Sequence, residues 1–356
     1  MSLDFKITKI EQSHIGNVDF HNLAFGKNFT DHYFTADYEN GAWGNFQILP
    51  MGPMALHPAS FVLHYGQSIF EGLKAEVNPE GKPILFRPEV NAARFELSAK
   101  RMAMPPITQE LFLASIEELI KIDKNWIPKG IEGSSLYIRP FMFGTDPILG
   151  VKIGDTFKYV VIIGPAGVYY STPINVLIQD NYVRAFPGGT GFAKAAGNYA
   201  ATLEPVREAH EQGYQQILWT DGYEHKYFQE IGTMNIFFVI NDTLITPSLE
   251  EGTILNGVTR DSIITLAKDM GFAVETRKIG VLELLTAYEN RSLKDMFGTG
   301  TAAVVYPINS FGYKGNNYDL ASIADRTISS RLKEELVGIK MGNKPDKFKW
   351  TRVIDC

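Results

Sequence analysis

The sequence predicts an α+β protein of two domains, and three observations carry that reading. At 356 residues the chain exceeds the size at which single hydrophobic cores stop growing. Its composition, 45% hydrophobic, 21% charged and 12% aromatic, is that of a globular protein able to line a sizeable pocket. Helix-like and strand-like segments are mixed without a regular βαβ alternation, which favours α+β over a doubly wound sheet. The expected division is residues 1–168 as a smaller α+β domain, 169–178 as a linker, and 179–356 as a larger α+β domain. No internal repeat or low-complexity tract interrupts it.

The elements follow in order. "FRPEVNAARFELSAKRM" reads as a helix that carries Arg94. In "TQELFLASIEELIKID", Phe112, Ile116, Leu119 and Ile120 lie at offsets of 4, 7 and 8 and form one helical face. "SLYIRP" alternates as a strand, so Tyr137 and Arg139 share a side. "FKYVVIIGP" is a buried strand ended by Gly-Pro, and the turn-rich "AGVYYSTPINV" links the halves. "NYAATLEPVREAHEQG" is a helix ending at Gly213, in which Pro205 marks either a kink or a late start. "QQILWT" and "TMNIFFVIND" are strands, the second turning at Asn241-Asp242 into "TLITP". "GVTRDSIITLAKDMGF" is a helix stopped by Gly271. A long amphipathic helix is expected from about Asp319 to Lys340.

Charge and cysteine usage exclude several function classes. A net charge of −6 argues against a broad nucleic-acid face, because phosphate backbones are held by clustered Lys and Arg. The single cysteine, Cys356, permits no intrachain disulfide and points to the cytoplasm. The first residues lack a signal-peptide core. The longest strongly apolar stretch, Tyr159 to Tyr170, is broken by Gly164, Pro165 and Gly167, so no membrane anchor is expected.

Four local patterns bear on chemistry, each with a plain alternative. Lys194 in "GFAKAAGNYA" reads as a solvated loop lysine or as a nucleophile; Ala193, Ala195, Ala196 and Gly197 would let the backbone approach a bulky cofactor. Glu230 in "EIGTMN" reads as a solvated strand end or as a carboxylate holding a proton on a heteroaromatic nitrogen. "LNGVTRDS" precedes a helix, where backbone N–H groups are either ordinarily capped or bind an anion such as phosphate. "FGTGTAA" formally fits G-x-G-x-x-A, but the strand-like "VVYPI", stopped by Pro307, follows where a dinucleotide fold needs a helix. The Rossmann reading therefore fails, and the glycine-rich turn remains as a close approach to an anion. Arg87 and Arg94 are surface charges or phosphate partners, and Arg139 is structural or a carboxylate receptor.

Taken in chain order, "HYGQSIFEGLKA", "SLYIRP", "GFAKAAGNYA", "QEIGTMNIFF", "GVTRDS" and "FGTGTA" resemble the branched-chain amino acid aminotransferases of the pyridoxal-phosphate fold type IV class, from about residue 25 to the final helix. The resemblance implies the two-domain, D-amino acid aminotransferase-like fold and transfer of the amino group of L-leucine, L-isoleucine or L-valine to 2-oxoglutarate by a ping-pong mechanism. It implies pyridoxal 5'-phosphate bonded to Lys194, with Glu230 at the pyridine nitrogen and Tyr199 at the ring hydroxyl. Arg94, Val258, Thr259 and Thr301 match the phosphate cradle. Tyr65, Phe70, Tyr137 and Tyr169 match an aromatic pocket. Thr233 and Ala302 match positions that receive the substrate carboxylate, and Arg139 the receptor for the distal carboxylate of glutamate. Leu149 and Val151 match a loop reaching a partner's site, so a homodimer is implied. No metal is expected. One departure stands out: Ala303 and Tyr306 occupy the positions of the redox-sensitive Cys-x-x-Cys of mammalian relatives, which excludes thiol regulation there. A D-amino acid aminotransferase or an aminodeoxychorismate lyase of the same fold, or a non-catalytic cofactor-binding protein, are the competing readings.

Overall fold

The computed structural model describes residues 3–168 and 172–356. Two compact units emerge: Met1–Tyr169 with Ala193–Gly197 and Gly338–Cys356, and Tyr170–Phe192 with Asn198–Val337. The Lys194 segment thus packs with the first unit, whereas the sequence reading assigns the lysine to the second domain. The physical reason is hydrogen bonding: the backbone of Lys194 and Ala196 pairs with strand residues Phe70 and Ser68.

The first unit begins with β1 (Lys6–Ile7), β2 (His32–Glu39) and β3 (Ala42–Pro50). Helix α1 (Phe61–Tyr65), β4 (Ser68–Phe70), β5 (Leu73–Val77), β6 (Pro83–Phe86), α2 (Pro88–Arg101), α3 (Gln109–Ile122), β7 (Ser135–Gly144) and β8 (Phe157–Ala166) follow. The sheet runs β1-β3-β2-β8-β7-β5-β6, with the C-terminal strand Thr351–Val353 added to β6 and β4 paired to β7. The apolar stripe of α3 is the one its periodicity predicts. Phe112, Ile116, Leu119 and Ile120 are fully buried, and the Thr108 side chain accepts from Leu111 N at 3.2 Å to cap the helix. Along β7 the parity is clean. Leu136, Ile138 and Met142 join the core with Phe95 of α2 and Phe112 of α3, so Tyr137, Arg139 and Phe141 face the other side of the sheet.

The second unit contains β9 (Ile174–Ile178), α5 (Leu203–Glu211) after the short α4 (Gly197–Ala200), β10 (Gln216–Thr220), β11 (Phe228–Ile231), β12 (Met234–Ile240) and β13 (Thr243–Thr246). Then come α6 (Val258–Asp269), β14 (Ala273–Thr276), α7 (Val281–Glu289), β15 (Leu293–Gly300), β16 (Val304–Tyr313), β17 (Asn316–Asp319) and α8 (Thr327–Lys340); the C-terminal strand is β18. The strand order is β11-β10-β9-β16-β15-β12-β13-β14, and a further pairing of β11 with β12 closes the first six into a ring. The β12–β13 connection is the predicted Asn241-Asp242 turn, with both residues at positive φ (49° and 63°), the twist that suits a two-residue hairpin.

Three expectations change, and the choice left open at Pro205 is decided. Half of the expected linker is strand β9. Pro205 lies in the first turn of α5, where its missing N–H costs nothing, so the helix starts late rather than kinking. Pro307 does not stop its strand: β16 runs through it, opposite Phe297, and pairing to β9 begins only at Ile308, the strand position where one missing donor is tolerated. The final helix starts at Thr327, not Asp319, because residues 316–319 pair with β16 and the buried Arg326 guanidinium donates to the carbonyls of Ala321 and Ile308, closing a separate 3-10 turn at Ile323–Asp325 ahead of the helix.

Candidate active site

In the first unit the site is built on the face of the sheet opposite its core. Ala195 bridges Ile69 of β4, and both are buried in the core, so the adjacent Lys194 and Phe70 point to the other face. Phe70 N donates to Lys194 O (3.1 Å), Ala196 N to Ser68 O (3.0 Å), and Lys194 N to Ser98 Oγ of α2 (2.9 Å). The lysine backbone is therefore fixed on both sides, and its half-buried ammonium lies 4.7 Å from the centroid of the Phe70 ring. Arg139 stacks on the same ring at 4.5 Å, and its Nη2 donates to Tyr137 Oη at 3.0 Å. Arg139 Nε is buried without a hydrogen-bond partner among the described residues. A Cβ on Gly72 would come within 2.3 Å of Tyr137 Oη, so glycine is what lets the phenol approach the chain just before β5.

Arg94 is 8% exposed and donates from Nε (2.7 Å) and Nη2 (2.9 Å) to the fully buried Glu71. Burial pushes the Glu71 carboxyl up, but the Arg94 guanidinium, the Lys194 ammonium and the Asn91 amide outweigh it and hold it below the ordinary carboxylate range. Glu71 escaped the sequence reading, although "FEGLKA" places an acid inside a strand-like run, where a charge needs a partner. Tyr65, at the end of α1, donates its hydroxyl to Leu149 O. Leu149 and Val151 are 67% and 82% exposed on the loop before β8. Tyr169 lies outside the described residues.

The second unit gathers a carboxylate and the start of a helix. Glu230, 2% exposed on β11, accepts from Leu255 N at 2.8 Å and pairs with Arg184 at 2.7 Å. Arg184 also donates to Thr253 O at 2.8 Å, so it ties the strand to the 253–257 turn. It too was missed, because an arginine in the loop "NYVRAFPGG" gives no local sign of its partner 46 positions on. Helix α6 begins after Gly257, which has no side chain to cap the first-turn N–H groups of Val258 and Thr259. Arg260 follows; burial lowers its pKa and Asp261 and Glu230 oppose that, while its Nε is buried without a partner among the described residues. Thr301 and Ala302, half-buried, form the turn between β15 and β16. Thr233 is exposed in the β11–β12 turn, and the half-buried Tyr199 lies on α4.

Within the first unit the structure thus brings together Lys194, Phe70, Tyr137 and Arg139. Within the second it groups Glu230 with the turn leading to Val258 and Thr259. Among the described residues no group of three or more His, Cys, Asp or Glu is placed to hold a metal, and no helix is long and apolar enough to cross a membrane.

The amino-transferase class IV family model matches residues 68–311. The branched-chain-amino-acid transaminase 1 of Bacillus subtilis (strain 168) is 44% identical over 334 residues, covering 92% of this chain and 93% of that protein. Among solved structures, the branched-chain amino acid aminotransferase of Escherichia coli superposes with a TM-score of 0.74 at 26% identity, covering 91% of this chain and 99% of that one. The T.th. branched-chain amino acid aminotransferase, solved with pyridoxamine 5'-phosphate, gives 0.73 at 26% identity, covering 90% and 98%.

Proposed function

The chain belongs to the class IV aminotransferases and has their fold, and from that premise we propose that it moves the amino group of L-leucine, L-isoleucine or L-valine to 2-oxoglutarate, giving the branched-chain 2-oxo acid and L-glutamate. The single observation that carries the substrate class is the close, nearly full-length similarity to branched-chain transaminases.

The residues present fit pyridoxal 5'-phosphate as cofactor. A half-buried lysine is braced on both sides by backbone hydrogen bonds, a buried carboxylate is held ready by Arg184 and Leu255, and a 12-residue helix opens on an uncapped glycine. When bound, the cofactor supplies an electron-accepting ring that carries the amino group between the two substrates. Lys194 would be its covalent tether until the amine of the substrate displaces it, and the freed Nζ would then take the proton from the α-carbon of the amino acid. Glu230 keeps a proton at the ring nitrogen, and Tyr199 donates to the ring hydroxyl. The N–H groups of Val258 and Thr259, with Thr301 and Arg94, bind the phosphate; Glu71 commits two of the Arg94 nitrogens and so sets the direction of the guanidinium.

Tyr65, Phe70 and Tyr137 line an apolar pocket for the side chain, while Thr233 and Ala302 receive the α-carboxylate. Apolar walls separate aliphatic side chains by only about 1–3 kcal/mol per methylene, so all three branched substrates are accepted. Glutamate enters the same pocket because Arg139, whose Nε has no partner among the described residues, receives the distal carboxylate. The enzyme acts as a cytoplasmic homodimer: the lone cysteine suits a reducing compartment, and the exposed apolar loop at Leu149 and Val151 suits a second copy. Initial rates with L-leucine and 2-oxoglutarate test the assignment. Parallel double-reciprocal lines are expected; intersecting lines contradict the two-stage use of one site.

A further inference from the structure

Glu230, Asn235 and Thr299 stand in one row across three strands: Glu230 of β11 is opposite Asn235 of β12, which is opposite Thr299 of β15. Asn235 is 5% exposed, and its Nδ2 donates to Leu255 O at 2.9 Å and to Glu230 Oε1 at 3.4 Å. Leu255 N donates to the same Glu230 oxygen at 2.8 Å, which closes a small ring of strand, amide and turn. On its other side Asn235 Oδ1 lies 2.0 Å from where a Cβ on Gly257 would be, so the amide lies against the residue that starts α6.

From this geometry we propose that Asn235 is a positioning residue that sets the acid and the helix start at a fixed spacing, and so couples the two ends of the bound cofactor. The proposal rests on the assignment of Glu230 to the ring nitrogen and of the α6 start to the phosphate. One primary amide is suited to this task. Its two N–H bonds satisfy an anionic and a neutral acceptor together, while its oxygen approaches a backbone that only glycine leaves open. A leucine of similar size would fill the space but leave the Leu255 carbonyl buried without that donor. An aspartate of the same shape would turn a donor into a second negative charge beside Glu230. Gly257 is the other half of the device, because a methyl there would drive Asn235 off both acceptors.

Absorbance titration of the full-length chain with pyridoxal 5'-phosphate provides the test, with Asn235→Ala, Glu230→Gln and the double variant measured beside the unsubstituted protein. Asn235→Ala is expected to weaken cofactor binding by about tenfold, the loss of one hydrogen bond to a charged acceptor, and to slow turnover while the KM for leucine stays within about twofold. In the Glu230→Gln background the same replacement is expected to cost only about threefold, because one of the two groups it positions is already altered. Asn235→Asp, which preserves shape, is expected to reproduce the loss and serves if the alanine variant does not fold. Cofactor uptake by Asn235→Ala equal to that of the unsubstituted chain, or a full additional loss in the double variant, would overturn the proposal alone. If the unsubstituted chain itself takes up no chromophore, the functional reading fails and the proposal falls with it.

Discussion

On the proposed assignment, replacing Arg139 by methionine is expected to separate the two half-reactions. The guanidinium stacks on Phe70 at 4.5 Å, is held by Tyr137 Oη at 3.0 Å, and keeps a buried Nε without a partner among the described residues. A carboxylate arriving there pairs with a charge and satisfies that donor, an interaction of about 3 kcal/mol for a charge-assisted pair. At about 1.4 kcal/mol per factor of ten, its loss slows the glutamate half-reaction by roughly 150-fold in kcat/KM. Leucine makes no such contact. Methionine keeps most of the aliphatic stem, so the leucine half-reaction loses only the cation contact with Phe70, about 0.5–1 kcal/mol or up to about fivefold. Single-turnover absorbance measurements with each amino acid give the two constants separately. A glutamate-to-leucine ratio of losses near about 30 or above is expected; equal losses would refute the reasoning.

Two more predictions test the scaffold. Gly72→Ala places a Cβ 2.3 Å from Tyr137 Oη and swings the ring away from Arg139, so the KM for leucine should rise about tenfold while the chain still melts cooperatively; an unchanged KM would contradict the close approach. Burial, reinforced by the Lys340 ammonium and partly offset by Glu76, pushes Lys74 down to about 8. Above that pH the unfolded chain still binds the proton that the folded chain has released, so this group adds stability as pH rises from about 8 to about 10 and costs stability below. Lys74→Met should therefore be more stable than the parent at pH 7, by roughly 3 kcal/mol, and the difference should shrink toward pH 10 in urea titrations. A difference independent of pH would remove Lys74 as its source.

The parts legible in the sequence were those whose physics is local. The stripe of α3, the alternation that puts Tyr137 and Arg139 on one face and the Asn241-Asp242 turn each depend on residues within a few positions of one another. So does the glycine that opens α6. What escaped depends on partners far along the chain. Arg94 finds Glu71 across 23 positions, and Arg184 finds Glu230 across 46, and no window of sequence shows either pair. Pro307 and the segment after Asp319 mislead for a related reason: sheet pairing and a buried arginine override the local preference to stop a strand or extend a helix. The role of Asn235 was hidden in "EIGTMN" until the β11–β12 hairpin set it opposite Glu230.

The central claim is that Lys194 carries the cofactor and serves as the base. The visible absorbance of the full-length protein with pyridoxal 5'-phosphate, recorded before and after L-leucine and then 2-oxoglutarate, tests it most directly, with Lys194→Ala alongside. The account predicts a yellow band that bleaches with leucine and returns with 2-oxoglutarate in the parent only. A colourless parent, or a Lys194→Ala variant that cycles as the parent does, would contradict it.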